Sequence, residues 1–404
     1  MSEFGLNAAD MGLLASISFL LLAAAQIPIG VLLDRFGPRR VQAVLLVFAG
    51  GGATLFGTAT GFLELIAARA MIALGIAAAL MAGLKAVVMW FPKERVAFVN
   101  GCMIMLGSLG VASATAPADW LLAWIGWRGL FEVLTFATFA TAGFVYFIVP
   151  ERAANSARPG DALTLRAIYS DSRFWRIAPL SATCVGSSWA IQSLWAAPWL
   201  RDVEGLDRPS VISQLFIMAL GISFGALLLG TMADRLRKRG IETEVLLAVV
   251  AGLFVAAELA LILRLPLPSL VPWSVVPVVG AASVLSYAMI ANCFPAEIAA
   301  RANSALNLLH FGWAFAAQYG IGLVIGHWLP QDGHYPVVAY QTAFSLGLAF
   351  QMVALIWFAM PWLRALSRRL YASFRRQHAD HSFTGATMLP AEEAILEASE
   401  RTEW

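Results

Sequence analysis

The stretch Gly30-Val-Leu-Leu-Asp34-Arg35-Phe-Gly37-Pro-Arg39-Arg40 returns 200 residues later as Gly230-Thr-Met-Ala-Asp234-Arg235-Leu-Arg-Lys-Arg239-Gly240. Each copy closes an apolar run and enters a short cationic segment. A pattern that recurs at half the chain length, in equivalent places, makes the protein two homologous halves. The surrounding composition says what kind of halves they are. Of 404 residues, 60% are apolar and 13% charged, with a mean hydropathy of +0.74. Soluble domains run about 45–50% apolar and about 25% charged. Soluble enzymes, disulfide scaffolds, disordered regulators and nucleic-acid binders are therefore excluded, and a net charge of +2 gives no reason for a polyanionic partner. Cys102, Cys184 and Cys293 lie in or beside apolar runs without metal-ligand or paired spacing. The chain reads as an integral membrane protein.

A membrane helix needs roughly 20 apolar residues. Eleven segments qualify: 11–33, 41–60, 63–90, 97–117 and 130–149 before a polar stretch, then 177–200, 211–233, 245–263, 270–291, 302–328 and 338–362. Met1–Asp10 carries no Lys or Arg, so it does not resemble a cleavable signal peptide. Scored alternately, the connecting segments place 21 of the 27 Lys and Arg on one side and four on the other. Arg69 and Lys85 remain inside spans. The positive-inside rule then predicts a cytoplasmic C-terminus and an external N-terminus.

The repeated stretch resembles the loop signature of the major facilitator superfamily. Arg69 with Gly75 is similar to that family's fourth-helix motif, with Ala73 where a Gly is common. Trp90-Phe-Pro-Lys-Glu-Arg95 and Gly126-Trp127-Arg128 are similar to permeases of sugar phosphates and organic anions. The resemblance implies an all-α integral membrane fold of two pseudo-symmetric halves. Residues 1–150 form the N-terminal half, 151–176 a cytoplasmic linker, 177–363 the C-terminal half and 364–404 a cytoplasmic tail. The tail opens basic, where it meets anionic lipid, and ends acidic, with at most a short helix at 391–399. The family pattern has twelve helices. Aligning the two signatures leaves its first without a counterpart, so a truncation or a late-assigned start is expected, and a true eleven-helix chain is the alternative.

The resemblance also makes Gly30, Asp34, Arg35, Gly37, Arg39, Arg40, Gly230, Asp234, Arg235 and Arg239 a latch between the halves. The plain alternative is that these arginines only obey the positive-inside rule. Gly30 is expected at a close helix approach and Gly37 in a tight turn. A charge at mid-bilayer costs at least about 2.5–3.5 kcal/mol, so intramembrane ionisable groups are functional candidates by default. Lys85 is a candidate for binding an anionic substrate, against snorkelling to the headgroups. Arg69 lies too far along the helix to share a site with Lys85. It is expected to pair with Glu64 or Glu132, structurally or in proton coupling. Asn303, Asn307, His310, Ala314 and Gln318 form one stripe of the 302–328 span. His310 is a candidate proton carrier or a helix-to-helix hydrogen-bonding group. Trp189, Gln192, Ser193 and Trp195 combine aromatic walls with polar groups, as a small-molecule pocket needs; the alternative is that Trp195 and Trp199 are anchors at the external interface. Tyr287, with Ser283 and Ser286, makes a similar patch, and Glu258 is read as structural.

No phosphate-binding loop or nucleophile elbow is present, so uphill transport would draw on an ion gradient. The expectation is a non-enzymatic secondary transporter of the inner membrane. It would move a small organic anion with protons by alternating access, probe no nucleic acid, need no cofactor or metal, and act as a monomer. Drug or metabolite efflux is the nearest rival. A transporter-like sensor that binds solute without moving it is the rival from another class.

Overall fold

The computed structural model describes residues 4–150 and 166–383, without the side chains of Asp34, Ser223 and a number of residues within 84–108, 296–300 and 365–383. The linker residues 151–165 and residues 384–404, with the expected short helix at 391–399, lie outside the described residues; residues 364–383 of the tail are helical, continuing the last span, which corrects the expectation of at most one short helix there. The described chain is helical, apart from a single β-bridge between Gln331 and His334. By packing it forms two compact units, Met1–Leu355 and Ile356–Trp404.

The helices are α1 (Ala8–Phe36), α2 (Pro38–Thr58), α3 (Phe62–Ile76), α4 (Ala79–Trp90), α5 (Lys93–Ser113) and α6 (Ala116–Ile148). They continue as α7 (Ser172–Ala190), a π-turn (Ile191–Trp195), α8 (Ala196–Asp202), α9 (Arg208–Lys238) and α10 (Thr243–Ile262). The last are α11 (Leu270–Ala281), α12 (Ser283–Cys293), α13 (Ala296–Ile325) and α14 (Val337–Phe383). Among the described residues, nine helical segments are long and apolar enough to cross a membrane. The expected spans 97–117 and 177–200 are helical but outside that set. For the second the reason is polarity: Ser181, Thr183, Ser187, Ser188, Gln192 and Ser193 all fall within it. The chain is a multi-pass membrane protein.

Local chemistry sets the boundaries. A reciprocal capping box opens α1: Asp10 N donates to Asn7 Oδ1 at 2.9 Å and Asn7 N to Asp10 Oδ2 at 3.1 Å. Gly37 ends it with φ of 80°, a region glycine enters without penalty, and Pro38 starts α2. The second copy of the repeat behaves differently. It does not end its helix at the matching point, because Arg237 stands where Gly37 did and pairs with Asp234 at 3.2 Å along the helix. The helix α9 therefore runs to Lys238 and stops before Gly240, whose φ is 78°. Two expected spans hold as single apolar segments, Phe62–Val87 and Leu270–Cys293, with a short helix break inside each. The 63–90 span splits at Ala77, whose N–H turns tightly onto Leu74 O. The 270–291 span splits at Ala282, after Pro277 has removed a ladder donor. The 130–149 span extends back to Ala116 through a kink at Gly126 with φ of 68°.

The halves of the repeat meet chiefly where α1 packs along α13 and α5 along α9. A Cβ on Gly322 would lie 2.7 Å from Ala8 O, and one on Gly12 would lie 3.2 Å from the Gly322 Cα. Within the first half, a Cβ on Gly75 would lie 2.5 Å from Ala49 N. Gly30 corrects its expectation: a Cβ there would meet nothing within 4 Å, so no close helix approach requires it.

On the arginine-poor side, Asp202 gathers three elements. Its side chain is fully buried and accepts from Arg201 Nε (2.6 Å), Tyr340 OH (2.6 Å), Tyr335 N (3.3 Å) and His334 Nδ1 (2.8 Å). Tyr335 OH in turn accepts from Ala8 N at 3.0 Å, fastening the start of α1. Burial pushes the Asp202 carboxyl up, but the hydrogen bonds from Arg201, Tyr340 and His334 outweigh it and hold the group below the usual carboxylate range. Trp195 and Trp199 are not interfacial anchors. They are 3% and 1% exposed, with indole N–H groups on Gln318 O and Glu204 Oε1.

Two outcomes follow. Gly75→Val overpacks the α2–α3 contact at a cost of about 1–3 kcal/mol and lowers the melting temperature in detergent, whereas Gly30→Ala does not lower it; equal effects would refute the packing. Because the folded pKa of Asp202 is depressed, its contribution to stability is complete above the ordinary carboxylate range and is lost as pH falls through the folded value. Asp202→Asn should flatten that part of a melting-temperature profile taken from pH 7 downward.

Candidate functional site

The polar stripe of α13 turns toward α7, and small residues let it do so. A Cβ on Gly186 would sit 2.8 Å from the backbone oxygen of His310, so the two helices meet backbone to backbone here. His310 is completely buried. Ser181 Oγ lies 2.7 Å from its Nε2 and Tyr287 OH 3.3 Å from its Nδ1. Tyr287 OH donates to Asn307 Oδ1 at 2.7 Å, which commits the phenolic proton. The consistent assignment, made from the network, has Nδ1–H donating to the Tyr287 oxygen and Ser181 O–H donating to Nε2. Every donor in the chain Ser181, His310, Tyr287, Asn307 then points the same way. A proton added at Nε2 requires the Ser181 hydroxyl to rotate away, so this row of groups has a second state available.

Aromatic rings frame the histidine. Trp189 stands edge-on to His310 with centroids 5.7 Å apart, and Phe311 lies 5.4 Å from Trp189. Phe19 of α1 stacks on Phe311 at 6.3 Å, bringing the first half of the repeat to the cluster. One layer away, Gln318 Nε2 donates to Ser193 Oγ at 2.8 Å, while Gln318 Oε1 is buried with no hydrogen-bond partner among the described residues. The π-turn Ile191–Trp195 carries both Gln192 and Ser193. Such turns re-aim side chains and frequently mark functional positions. Beside the cluster, a cavity of about 620 Å³ opens between Leu20, Ala23 and Ala24 of α1, Pro179 and Ala182 of α7, and Gly312 of α13.

The structure thus brings together Trp189, Ser193, Tyr287, Asn307, His310 and Gln318, with Gln192 in the adjoining turn. Ser181 and Ser187, which accepts from Trp313 Nε1 at 2.9 Å, were not singled out by sequence. The recurrence of Ser181, Ser188 and Gln192 at spacings of seven and four, one face of a helix, is the signal that marks Ser181; Ser187 carries no such signal.

Other expected residues lie elsewhere. Lys85 Nζ donates to Leu33 O at 2.8 Å, closing the end of α1 beside the signature stretch. Leu33 is 14 residues beyond Phe19, roughly 21 Å along an ideal helix, so Lys85 does not share the His310 cluster. The expected pairing of Arg69 with Glu64 or Glu132 is not found. Glu64 accepts from Thr60 N and Thr60 Oγ1, and exposed Glu132 borders a groove with Thr54 and Thr135. Arg69 Nε is buried and has no hydrogen-bond partner among the described residues. Leu65 packs with Leu14, so one further turn along each helix sets Arg69 at the depth of Ser18 and Phe19. It sits at the level of His310, with α1 between them. In the signature stretch, Arg39 Nε donates to Tyr146 O at 2.8 Å and Arg35 lies over Phe36; these partners belong to the same half. Asp34, the central latch residue, has its side chain outside the described residues. Glu258 is buried as expected.

Comparison with known proteins agrees with this architecture. The chain is 26% identical to a probable sulfoacetate transporter, SauU, of Cupriavidus necator, covering 59% of each protein. It is 24% identical to a probable L-galactonate transporter of Escherichia coli K12, covering 64% of this chain and 61% of the other. It therefore spans about three fifths of the length of these two relatives. A crystal structure of a bacterial homolog to the human lysosomal transporter Spinster, inward-facing and unoccupied, superposes with a TM-score of 0.71 at 17% identity, covering 88% of this chain and 90% of that one. The family model described as Major Facilitator Superfamily matches residues 1–318. The chain belongs to the major facilitator superfamily.

Proposed function

We propose that the protein is a proton-coupled secondary transporter of a small organic anion, cycling its two halves around the His310 cluster. The observation that carries this reading is the buried row Ser181–His310–Tyr287–Asn307 beside a cavity shared by both halves. A membrane helix that buries so many polar groups next to open volume has a polar occupant to receive. The relatives' names, sulfoacetate and galactonate, supply the substrate class: short carboxylates and sulfonates with further oxygen atoms. Tyr287, Asn307 and Gln318 suit the oxygens, Trp189 and Phe311 the carbon skeleton.

The anion also needs a counter-charge. Arg69, at the depth of His310, with a buried Nε that has no hydrogen-bond partner among the described residues, is the cation we assign to it, met by the anion in a conformation in which α1 no longer stands between them. Lys85 serves the conformational latch instead, since its ammonium already closes α1 at Leu33 O. His310 is the coupling group, because an imidazole takes up and releases a proton near neutrality when its surroundings change. The arginine-rich side is assigned to the cytoplasm of a bacterial inner membrane by the positive-inside rule. The α1–α7–α13 cavity runs toward that side, past Trp175 and Pro179 near the start of α7.

Transport is tested in proteoliposomes with labelled galactonate and sulfoacetate. An inward proton gradient should drive accumulation that a protonophore abolishes. Binding without flux would favour a sensor, and flux indifferent to the gradient would overturn coupling. His310→Gln should abolish gradient-driven accumulation while retaining substrate exchange across the membrane. Arg69→Lys loses the forked geometry and should raise KM by about tenfold with little change in maximal rate; an unchanged KM removes Arg69 from the site.

A further inference from the structure

A second cavity, of about 260 Å³, lies between α7, α10, α13 and α14. Of the residues lining the cavity beside His310, it shares only Trp313; α10 and α14 take the place of α1. Its walls are apolar apart from Ser187, whose hydroxyl accepts from Trp313, and from Glu258 and Gln351, which reach in together. Both are essentially buried, at 2% and 0% exposure. Glu258 Oε2, Gln351 Oε1 and Gln351 Nε2 have no hydrogen-bond partner among the described residues. Leaving one such group unsatisfied costs about 1–3 kcal/mol, and more for a charged one. Native interiors satisfy nearly all of them. Three orphaned atoms together on one cavity point to something that fills it.

The chemistry of the cavity selects the occupant. Two of the three free atoms, a carboxylate oxygen and an amide oxygen, are acceptors. No Lys, Arg or His forms an ion pair with Glu258 among the described residues. A partner that is cationic and rich in N–H donors would satisfy both acceptors at once and hold Glu258 ionised. The walls agree: Trp313, Phe344 and Phe350 line the space, with Trp313 and Phe350 set edge to face at 5.2 Å. The Trp313 indole N–H is already spent on Ser187 Oγ, so that ring offers its apolar surface and π-face to a ligand. Phe350 and Leu346 are 57% and 51% exposed on the outer side of α14, where an alkyl chain enters from the bilayer.

We propose that this cavity binds a small primary alkylammonium, its nitrogen on Glu258 and the Gln351 amide oxygen and its chain against Trp313, Phe344 and Phe350. The site is separate from the transport cavity and does not depend on the substrate assigned there. Its volume, below the roughly 300–1,000 Å³ of most ligand pockets, limits the occupant to a short chain.

Calorimetry on the purified full chain in detergent tests it with n-hexylammonium, n-hexanol and hexanoate as probes. Hexylammonium should bind, with hexanol and hexanoate at least about tenfold weaker, and Glu258→Gln should weaken hexylammonium by about tenfold or more. In the unaltered protein, dicyclohexylcarbodiimide should modify Glu258, read by peptide mass, and hexylammonium should slow that modification. This second measurement decides the matter if Glu258→Gln does not fold. Equal binding of hexanol, no binding of hexylammonium, or modification that the amine does not slow would overturn the proposal.

Discussion

Two backbones touch where α1 crosses α13, because Gly12 and Gly322 leave no side chain between them. In a bilayer the lipid is as apolar as any leucine, so helices gain nothing from hiding apolar surface against one another. What holds them is packing, and packing is tightest where side chains are smallest. This contact sets the depth at which Phe19 meets Phe311, and so the depth at which the first half of the repeat reaches His310. Gly186 repeats the arrangement on the other side of α13, against α7. Held between the two, α13 turns its stripe of Asn307, His310 and Gln318 inward.

That orientation concentrates polar groups in a low-dielectric interior, where each must find a partner. Many do, in a row whose donors all point one way, and of those that do not, Glu258 and Gln351 lie at open volume. Gln318 Oε1 lies in the layer next to His310, while Glu258 and Gln351 line the second cavity. At the arginine-poor end the same economy takes a different form. Asp202 and Glu204 collect donors from α8, α11, α14 and the segment before it, tying that end together around a buried carboxylate and a half-buried one. The motions available to the molecule are thus bounded by a stitched end and by a middle held through glycine contacts.

Much of this was legible in the linear chain. Composition and run length marked the membrane class, and the 200-residue echo of Gly30–Arg40 marked the two halves. The stripe on α13 was visible because helical periodicity puts a residue on a face without reference to any neighbour. Other readings failed for local reasons. The second signature copy did not break its helix, since Arg237 permits what Gly37 interrupts. The 63–90 and 270–291 spans hold as the single segments Phe62–Val87 and Leu270–Cys293, but a short break inside each is something run length alone does not register. Trp195 and Trp199 sat near a span end, yet their indoles are buried on Gln318 and Glu204.

The limits were sharpest for charge. Arg69 and Lys85 stood out equally as cations inside spans, and no spacing rule separated them. Only packing did: α4 lays Lys85 on the carbonyl that ends α1, whereas α3 leaves Arg69 buried without a hydrogen-bond partner on Nε. Ser181 and Gln351 drew no notice at all, because a serine or glutamine gains meaning from what stands opposite. The sequence by itself determined which residues share a face of one helix, and hence the class, the repeat and the polar stripe. Which face meets which was decided by tertiary structure alone, because partners far apart in the chain are chosen by the close approach of glycines, not by the periodicity of either helix.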